Sequence, residues 1–285
     1  MTRHAVIVDA VRSPMGKGKA PRDGRPGGTL SGLHPAELLG QVFTALFERT
    51  GIDPGEVDDV ITGCVSQASE QTGPVGRYAW LGAGLPEHVP SVAVNRACGS
   101  SQQAVDFAAQ TVLAGACDIV VASGVESMSR VPMFTARMGA DPFGPSASTR
   151  YAPGLVPQGI SAELSAARWN LDREMLDEYS VHSHERAAAA DFGQEIVPIV
   201  LPDGTVVDSD ETVRPGTTVE KLGRLTPAFC SEEMATRFPE IDWRITPGHS
   251  SLMIRTAAAP SVSCDELPGV MRQSISGNRV AISSL

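Results

Sequence analysis

Val94-Asn95-Arg96-Ala97-Cys98-Gly99-Ser100-Ser101-Gln102-Gln103-Ala104 is the run whose reading decides the fold. Ahead of it, Val89 to Val94 is apolar and β-branched, the character of a strand. Behind it, Gly99 to Ala116 turns helical, with Ala104, Phe107, Ala108, Val112 and Leu113 on one side. Asp118-Ile119-Val120-Val121-Ala122-Ser123-Gly124 then reads as the next strand. Upstream, Ala5 to Val11 is a nearly continuous β-branched run, which suits a strand buried on both faces. Arg12 to Gly32, rich in Gly, Pro and Lys, reads as a long loop. Pro35 opens a helix with Leu38, Leu39, Val42, Leu46 and Phe47 on its apolar face, and Gly51 stops it. Asp59 to Val65 is a further strand, and a short helix is expected around Tyr78 to Leu81. Strands alternating with helices imply an α/β domain with a mainly parallel sheet.

Patterning fades into Gly, Pro, Ser and Met between Arg130 and Gly159. Helices over 161–169 and 173–190 follow, then a hairpin of Glu195–Leu201 with Thr205–Val207 across Pro202-Asp203-Gly204. This middle region reads as an insertion hung on the sheet. With 42% hydrophobic and 20% charged residues, the 285-residue chain has ordinary globular composition. Its net charge of -10 argues against nucleic acid or an anionic membrane as partner. No apolar run approaches bilayer length, and Met1-Thr2-Arg3-His4 enters a strand without a secretory pattern, so a cytoplasmic location is expected.

The five cysteines, Cys64, Cys98, Cys117, Cys230 and Cys264, are widely spaced and form no Cys-x-x-Cys pair. That is neither a disulfide framework nor a zinc site, and no metal is expected. Cys98 stands apart because it ends a strand and opens a helix. Unpaired N–H groups and the dipole at a helix start favour negative charge, so a thiolate there is an effective nucleophile. Gly99 and Ser100 also let a substrate approach the backbone. A buried cysteine filling a strand–helix junction fits the same spacing, and spacing alone leaves the two readings level.

The run Asn95-x-x-Cys98-Gly99-Ser100-Ser101, with Ala104 beyond it, resembles the active-site segment of thiolases. Val8 to Pro14 with Gly16-Lys17 resembles their opening strand, and Gly115 to Asp118 with Gly124-Val125-Glu126-Ser127-Met128-Ser129 resembles a later strand and its acidic turn. Gly159 to Glu163 and Ser183 to Ala187 resemble the covering loop and its helix. Trp80-Leu81, Gly84 to His88 and Gln102-Gln103 look most like degradative 3-ketoacyl-CoA thiolases, including those of steroid side chains. The resemblance implies a thiolase-like N-terminal domain: a mainly parallel mixed sheet flanked by helices, with an inserted loop domain and no second thiolase domain. In residues, 1–125 would form the α/β core, 126–200 the insertion, 201–251 a return to the core and 252–285 a tail foreign to the family.

It also implies a transferase that exchanges an acyl group between 3-ketoacyl-CoA and CoA through an acyl-cysteine on Cys98. CoA and acyl-CoA would be substrates, with no bound cofactor, and the protein would be a dimer or tetramer or would join a complementary chain. Ser251, following Gly248-His249-Ser250, inherits a CoA contact; Arg224 substitutes for a basic residue usual before the proline at Pro227; Gln158 stands where a methionine often lines the acyl site. The family's Asn-Glu-Ala-Phe, Gly-His-Pro and late Cys-x-Gly segments have no counterpart, and the histidines read as surface or structural groups. After Ser251 the likeness stops abruptly, as a reading-frame change would produce. The alternatives are a non-catalytic acyl-CoA-binding protein, a partner-dependent one, or a remnant.

Overall fold

The computed structural model describes residues 3–25, 27–151, 155–247 and 279–283, the last for its backbone only. Seven strands and eight α-helices run through them, alternating from β1 to β4. In chain order they are β1 (Val6–Val11), α1 (Pro35–Thr50), β2 (Asp59–Gly63), α2 (Val75–Gly82), β3 (Ser91–Val94), α3 (Ser100–Ala114), β4 (Ile119–Gly124), α4 (Gly144–Arg150), α5 (Gln158–Arg168), α6 (Arg173–Ala189), β5 (Ile199–Val200), β6 (Val206–Val207), α7 (Val219–Gly223), α8 (Glu232–Arg237) and β7 (Arg279–Ser283). The chain forms two compact units, one of residues 3–139 with 191–212 and 279–283, the other of 140–190 with 213–247.

The first unit is built on a five-stranded sheet of order β1-β7-β4-β2-β3, parallel at every pairing. Parallel strands place side chains alternately on two faces, and here each face meets its own helices. Val60 and Val121 face the cluster of α1 and α2, where Leu39, Val42, Phe43, Leu46, Val75 and Trp80 are buried. Ile61, Val120 and Ala122 face α3 through Ala104, Ala108 and Val112. Trp80 anchors the first cluster. Its ring lies edge-on to Phe43 at 5.8 Å and to Phe47 at 5.5 Å, while Nε1 donates to the Pro86 carbonyl at 2.8 Å.

Two expectations about burial are corrected. β1 is not covered on both faces: Ile7 is 63% exposed, Val6 and Val8 are also open, and only Val11 is buried. The strand stands at the sheet's edge, beyond the reach of α3, which packs over β2 and β4. On α3 itself, Phe107 and Leu113 are exposed, and the contact line is made by the small residues Ala104 and Ala108. Small side chains let this helix lie close to the strands, and that leaves its larger residues at the rim. Part of the segment expected to be a tail joins the sheet: Arg279–Ser283 pairs as β7 with β1 and β4. Within the segment where patterning fades, between 130 and 159, lies the short helix α4.

The long loop after β1 packs through Leu30 into the α1–α2 cluster and is otherwise held by carboxylates. Asp210 accepts from both Nη atoms of Arg12, at 2.8 and 3.1 Å, and from the backbone N–H of Met15 at 2.8 Å. Glu211 accepts the backbone N–H groups of Lys17 and Thr29 at 2.8 and 2.9 Å. In the second unit Glu163 does the same for Arg244 and Ile245, at 2.9 and 2.6 Å. There Ile160, Phe238 and Ile241 form a small core. Residues 213–247, expected to return to the sheet domain, pack with this unit instead. The Glu163 bonds and those of Arg173 to the carbonyls of Leu222 and Leu225 explain the grouping.

Two outcomes are expected. Trp80→Ala removes the centre of the α1–α2 cluster and should cost about 3–5 kcal/mol, read from urea unfolding. Burial alone would push the Glu211 carboxyl up, but the N–H groups of Lys17 and Thr29 hold it down at about 2. A carboxyl depressed by folding stabilises the fold above its unfolded value, and the benefit disappears as pH falls through the folded one. Glu211→Gln should therefore lower stability at neutral pH and flatten the acid decline between roughly pH 4.5 and pH 2. Unfolding midpoints measured across that window check it.

Candidate active site

β3 ends at Val94, whose carbonyl accepts the N–H of Cys64 at 3.0 Å. The chain then makes a five-residue turn, Asn95 to Gly99, before α3 begins at Ser100. The turn is tied internally. Asn95 Oδ1 accepts the Ala97 N–H at 3.0 Å, the Ser100 hydroxyl donates to the Ala97 carbonyl at 2.6 Å, and it accepts the Arg96 N–H at 2.9 Å. Ala97 has φ 47°, a left-handed conformation that costs a residue with a side chain about 1–3 kcal/mol and persists only when its surroundings enforce it. Cys98 follows it, one position before the helix cap Gly99, and is exposed.

Why the helix starts here is visible in two glycines. Gly63 and Gly124 are paired across β2 and β4, at the carboxyl ends of both strands. A methyl group on Gly63 would lie 2.4 Å from the Ser101 nitrogen, and one on Gly124 would lie 1.8 Å from the Ser101 hydroxyl oxygen. The first turn of α3 therefore rests directly on strand backbone. This sets Cys98 over the carboxyl ends of parallel strands, the place where open α/β sheets bind their ligands.

Behind the turn lies a polar cluster. The Glu126 carboxylate accepts the N–H of Val65 at 2.9 Å and that of Ser66 at 3.3 Å. Gln71, fully buried, donates to Glu126 at 3.0 Å and to the Ser66 carbonyl at 3.0 Å, and accepts the Ser127 N–H at 2.7 Å. Cys64 sits against this cluster. Burial, with the Glu126 charge adding to it, pushes its thiol up to about 12, so it is a protonated core residue. Cys117 is raised in the same direction, first by its burial, and Cys230 is exposed.

The remaining candidates fall elsewhere. Gln158, exposed, begins α5, and Arg224 caps α7 with its guanidinium on Glu220; both belong to the second unit, whereas Cys98 belongs to the first. Ser251 lies outside the described residues, as do His249 and Cys264. His34 caps α1, its Nδ1 accepting from Ala36, and His88 Nε2 lies 3.1 Å from the Gly55 carbonyl. His184 is buried on α6. Among the described residues, no group of three His, Cys, Asp or Glu could hold a metal ion, and no helix is long and apolar enough to cross a membrane.

Residues 5–239 match the family described as thiolase, N-terminal domain. The chain belongs to the thiolase family. It is 40% identical over 249 residues to a steroid 3-ketoacyl-CoA thiolase of Mycobacterium tuberculosis, covering 80% of this chain and 59% of that protein. It is 37% identical over 265 residues to a 3-ketoacyl-CoA thiolase of Serratia proteamaculans, covering 90% and 63%. The crystal structure of the Bacillus anthracis acetyl-CoA acetyltransferase superposes with a TM-score of 0.69 at 32% identity, covering 87% of this chain and 62% of that one. The chain thus spans about three fifths of the length of these thiolases.

Within this thiolase domain the buried Gln71 and the pairing of Gly63 with Gly124 were not singled out by sequence reasoning, and Asn95 and Ser100 stood in the quoted motif without a role in holding the turn. A signal existed for the glycines: Thr62-Gly63 and Ser123-Gly124 are matched strand endings, and their hydroxyls meet at 2.8 Å. Nothing in the spacing marked Gln71, because its side chain joins two separate segments, the stretch after β2 and the turn after β4. Gly124→Ala should destabilise by about 1–3 kcal/mol, since the α3 start has to shift. Gly82→Ala, at the end of α2 where the added methyl meets nothing, should be neutral or stabilise by up to about 1 kcal/mol. Paired urea titrations separate the two.

Proposed function

We propose that this chain carries the acyl-accepting thiol of a degradative 3-ketoacyl-CoA thiolase. The single observation that supports the reading is Cys98 itself, exposed at the strand–helix turn over the carboxyl ends of the sheet within the matched family domain. The Cys98 sulfur attacks the ketone carbon of a 3-ketoacyl-CoA. The bond between that carbon and the next breaks, its electron pair remains on the acetyl fragment, and a proton taken up there yields acetyl-CoA. The acyl group stays on sulfur as a thioester, until the thiol of free CoA attacks it and returns Cys98. Both thiols are good nucleophiles and good leaving groups, which is what lets the exchange run in two steps.

The two proton transfers and the oxyanions need a base, an acid and hydrogen-bond donors. The segments that carry them in the family pattern have no match among residues 1–247, so the step assigned to this chain is acylation of Cys98. Gln158 and Ser251 remain candidates for the acyl and CoA contacts. Arg224, the third, would have to leave Glu220 to reach a phosphate; that exposed pair is weak enough to release it. The expected assembly is a dimer or tetramer of this chain, or a complex with a complementary chain that supplies the missing groups, in a soluble cytoplasmic setting. No metal or organic cofactor enters this chemistry.

Incubating the 285-residue chain with acetoacetyl-CoA or acetyl-CoA and mapping the product by peptide mass spectrometry should place one acetyl group on Cys98. Cys98→Ala should carry none. An unmodified Cys98, or equal labelling of Cys230 and Cys98, would refute the assignment.

A further inference from the structure

We propose that Glu126 and Gln71 are positioning residues for Cys98, acting through Val65 and the side chain of Asn95. The inference rests on Cys98 being the acyl-accepting thiol. Val65, just after β2, is engaged from both sides: its N–H donates to Glu126 at 2.9 Å, and its carbonyl accepts from Asn95 Nδ2 at 2.8 Å. The other end of the Asn95 carboxamide accepts the N–H of Ala97, the strained residue that precedes Cys98. A continuous path of hydrogen bonds therefore runs from the acidic turn after β4, through the end of β2, to the nucleophile's own turn.

The residue types suit this work. An ionised carboxylate has acceptors only, and Glu126 meets donors only: two backbone N–H groups and the Gln71 amide. Gln71 must donate to Glu126 and Ser66 and accept from Ser127, and a carboxamide is the group that does both. Its complete burial removes water as a competitor, which strengthens each bond and makes each loss costly. Asn95, by contrast, is exposed, so its two bonds are dispensable to the core and matter chiefly to the turn. The left-handed Ala97 needs such enforcement if Cys98 is to hold one orientation. Orientation matters for acyl transfer, where a displacement of about 1 Å costs up to a hundredfold in rate.

The test uses the full chain, acetyl-CoA, and iodoacetamide as a reagent that attacks an exposed thiol without demanding a fixed approach. In Glu126→Gln, one carboxylate oxygen becomes an NH2 that faces donors. The limiting rate of Cys98 acetylation should fall about tenfold to a hundredfold, with the half-saturating acetyl-CoA concentration and the iodoacetamide rate little changed. Asn95→Ala should do the same. The double variant should lose no more than the worse single one, because both changes cut the same path. Wild-type acetylation rates in the single variants, or losses that multiply, would overturn the proposal. If Glu126→Gln melts, Asn95→Ala decides alone, a tenfold loss supporting and an unchanged rate refuting it. Failure of the unsubstituted chain to acetylate at Cys98 would instead sink the function and this inference together.

Discussion

Helix α3 can begin where it does only because two neighbouring strands end in residues without side chains. Helix backbone against Gly63 and the Ser101 side chain against Gly124 seat the first turn of the helix on the sheet, closer than any Cβ would allow. That contact sets the height of Ser100 and Ser101, and so the height of Cys98, above the strand ends. The small stripe of Ala104 and Ala108 continues the close approach along the helix. A larger residue anywhere on this line would lift the helix and tilt the turn that carries Cys98. The dense packing of the interior turns a single methyl group into a change of geometry at the site.

A second theme is the use of carboxylates as clamps for remote backbone. Glu126 holds Val65 and Ser66, Glu211 holds Lys17 and Thr29, Glu163 holds Arg244 and Ile245, and Asp58 holds Asp118 and Ile119. Each group offers lone pairs to two N–H donors that no strand or helix satisfies. Charge-assisted bonds of this kind are stronger than neutral ones, and they leave fewer buried donors unpaired. The acidic balance of the chain thus has a structural use distinct from binding any cationic partner. In a protein with long irregular connections, such clamps do what regular hydrogen-bond ladders do elsewhere.

Near Cys98 the same device separates two thiols by environment. Cys64 and Cys98 follow neighbouring parallel strands, yet one is sealed beside Gln71 and Glu126 and the other is open. Burial in the presence of a negative charge keeps Cys64 protonated, so of these two thiols only Cys98 is open to a reagent. The polar cluster therefore supports the turn and keeps a second sulfur out of the chemistry.

Much of this was legible in the residues. Alternating β-branched runs and helical periods define the α/β plan because a period of two or of 3.6 reflects local geometry alone. The position of Cys98 between strand and helix, followed by small residues, was legible for the same reason. Burial was less legible: the apolar run of β1 says that the strand is sheet-forming, but its place at the edge depends on which strands pair. Likewise Phe107 and Leu113 read as core until the packing distance of α3 was known. Gln71, the bond of Asn95 to Val65 and the grouping of 213–247 with α5 and α6 were not legible, since each joins segments that meet only in the fold. The sequence by itself determined which elements form and which sulfur leads a helix, both set by neighbours along the chain. Tertiary structure alone decided what holds that sulfur's turn in place, because hydrogen bonds between distant segments exist only once the chain has folded.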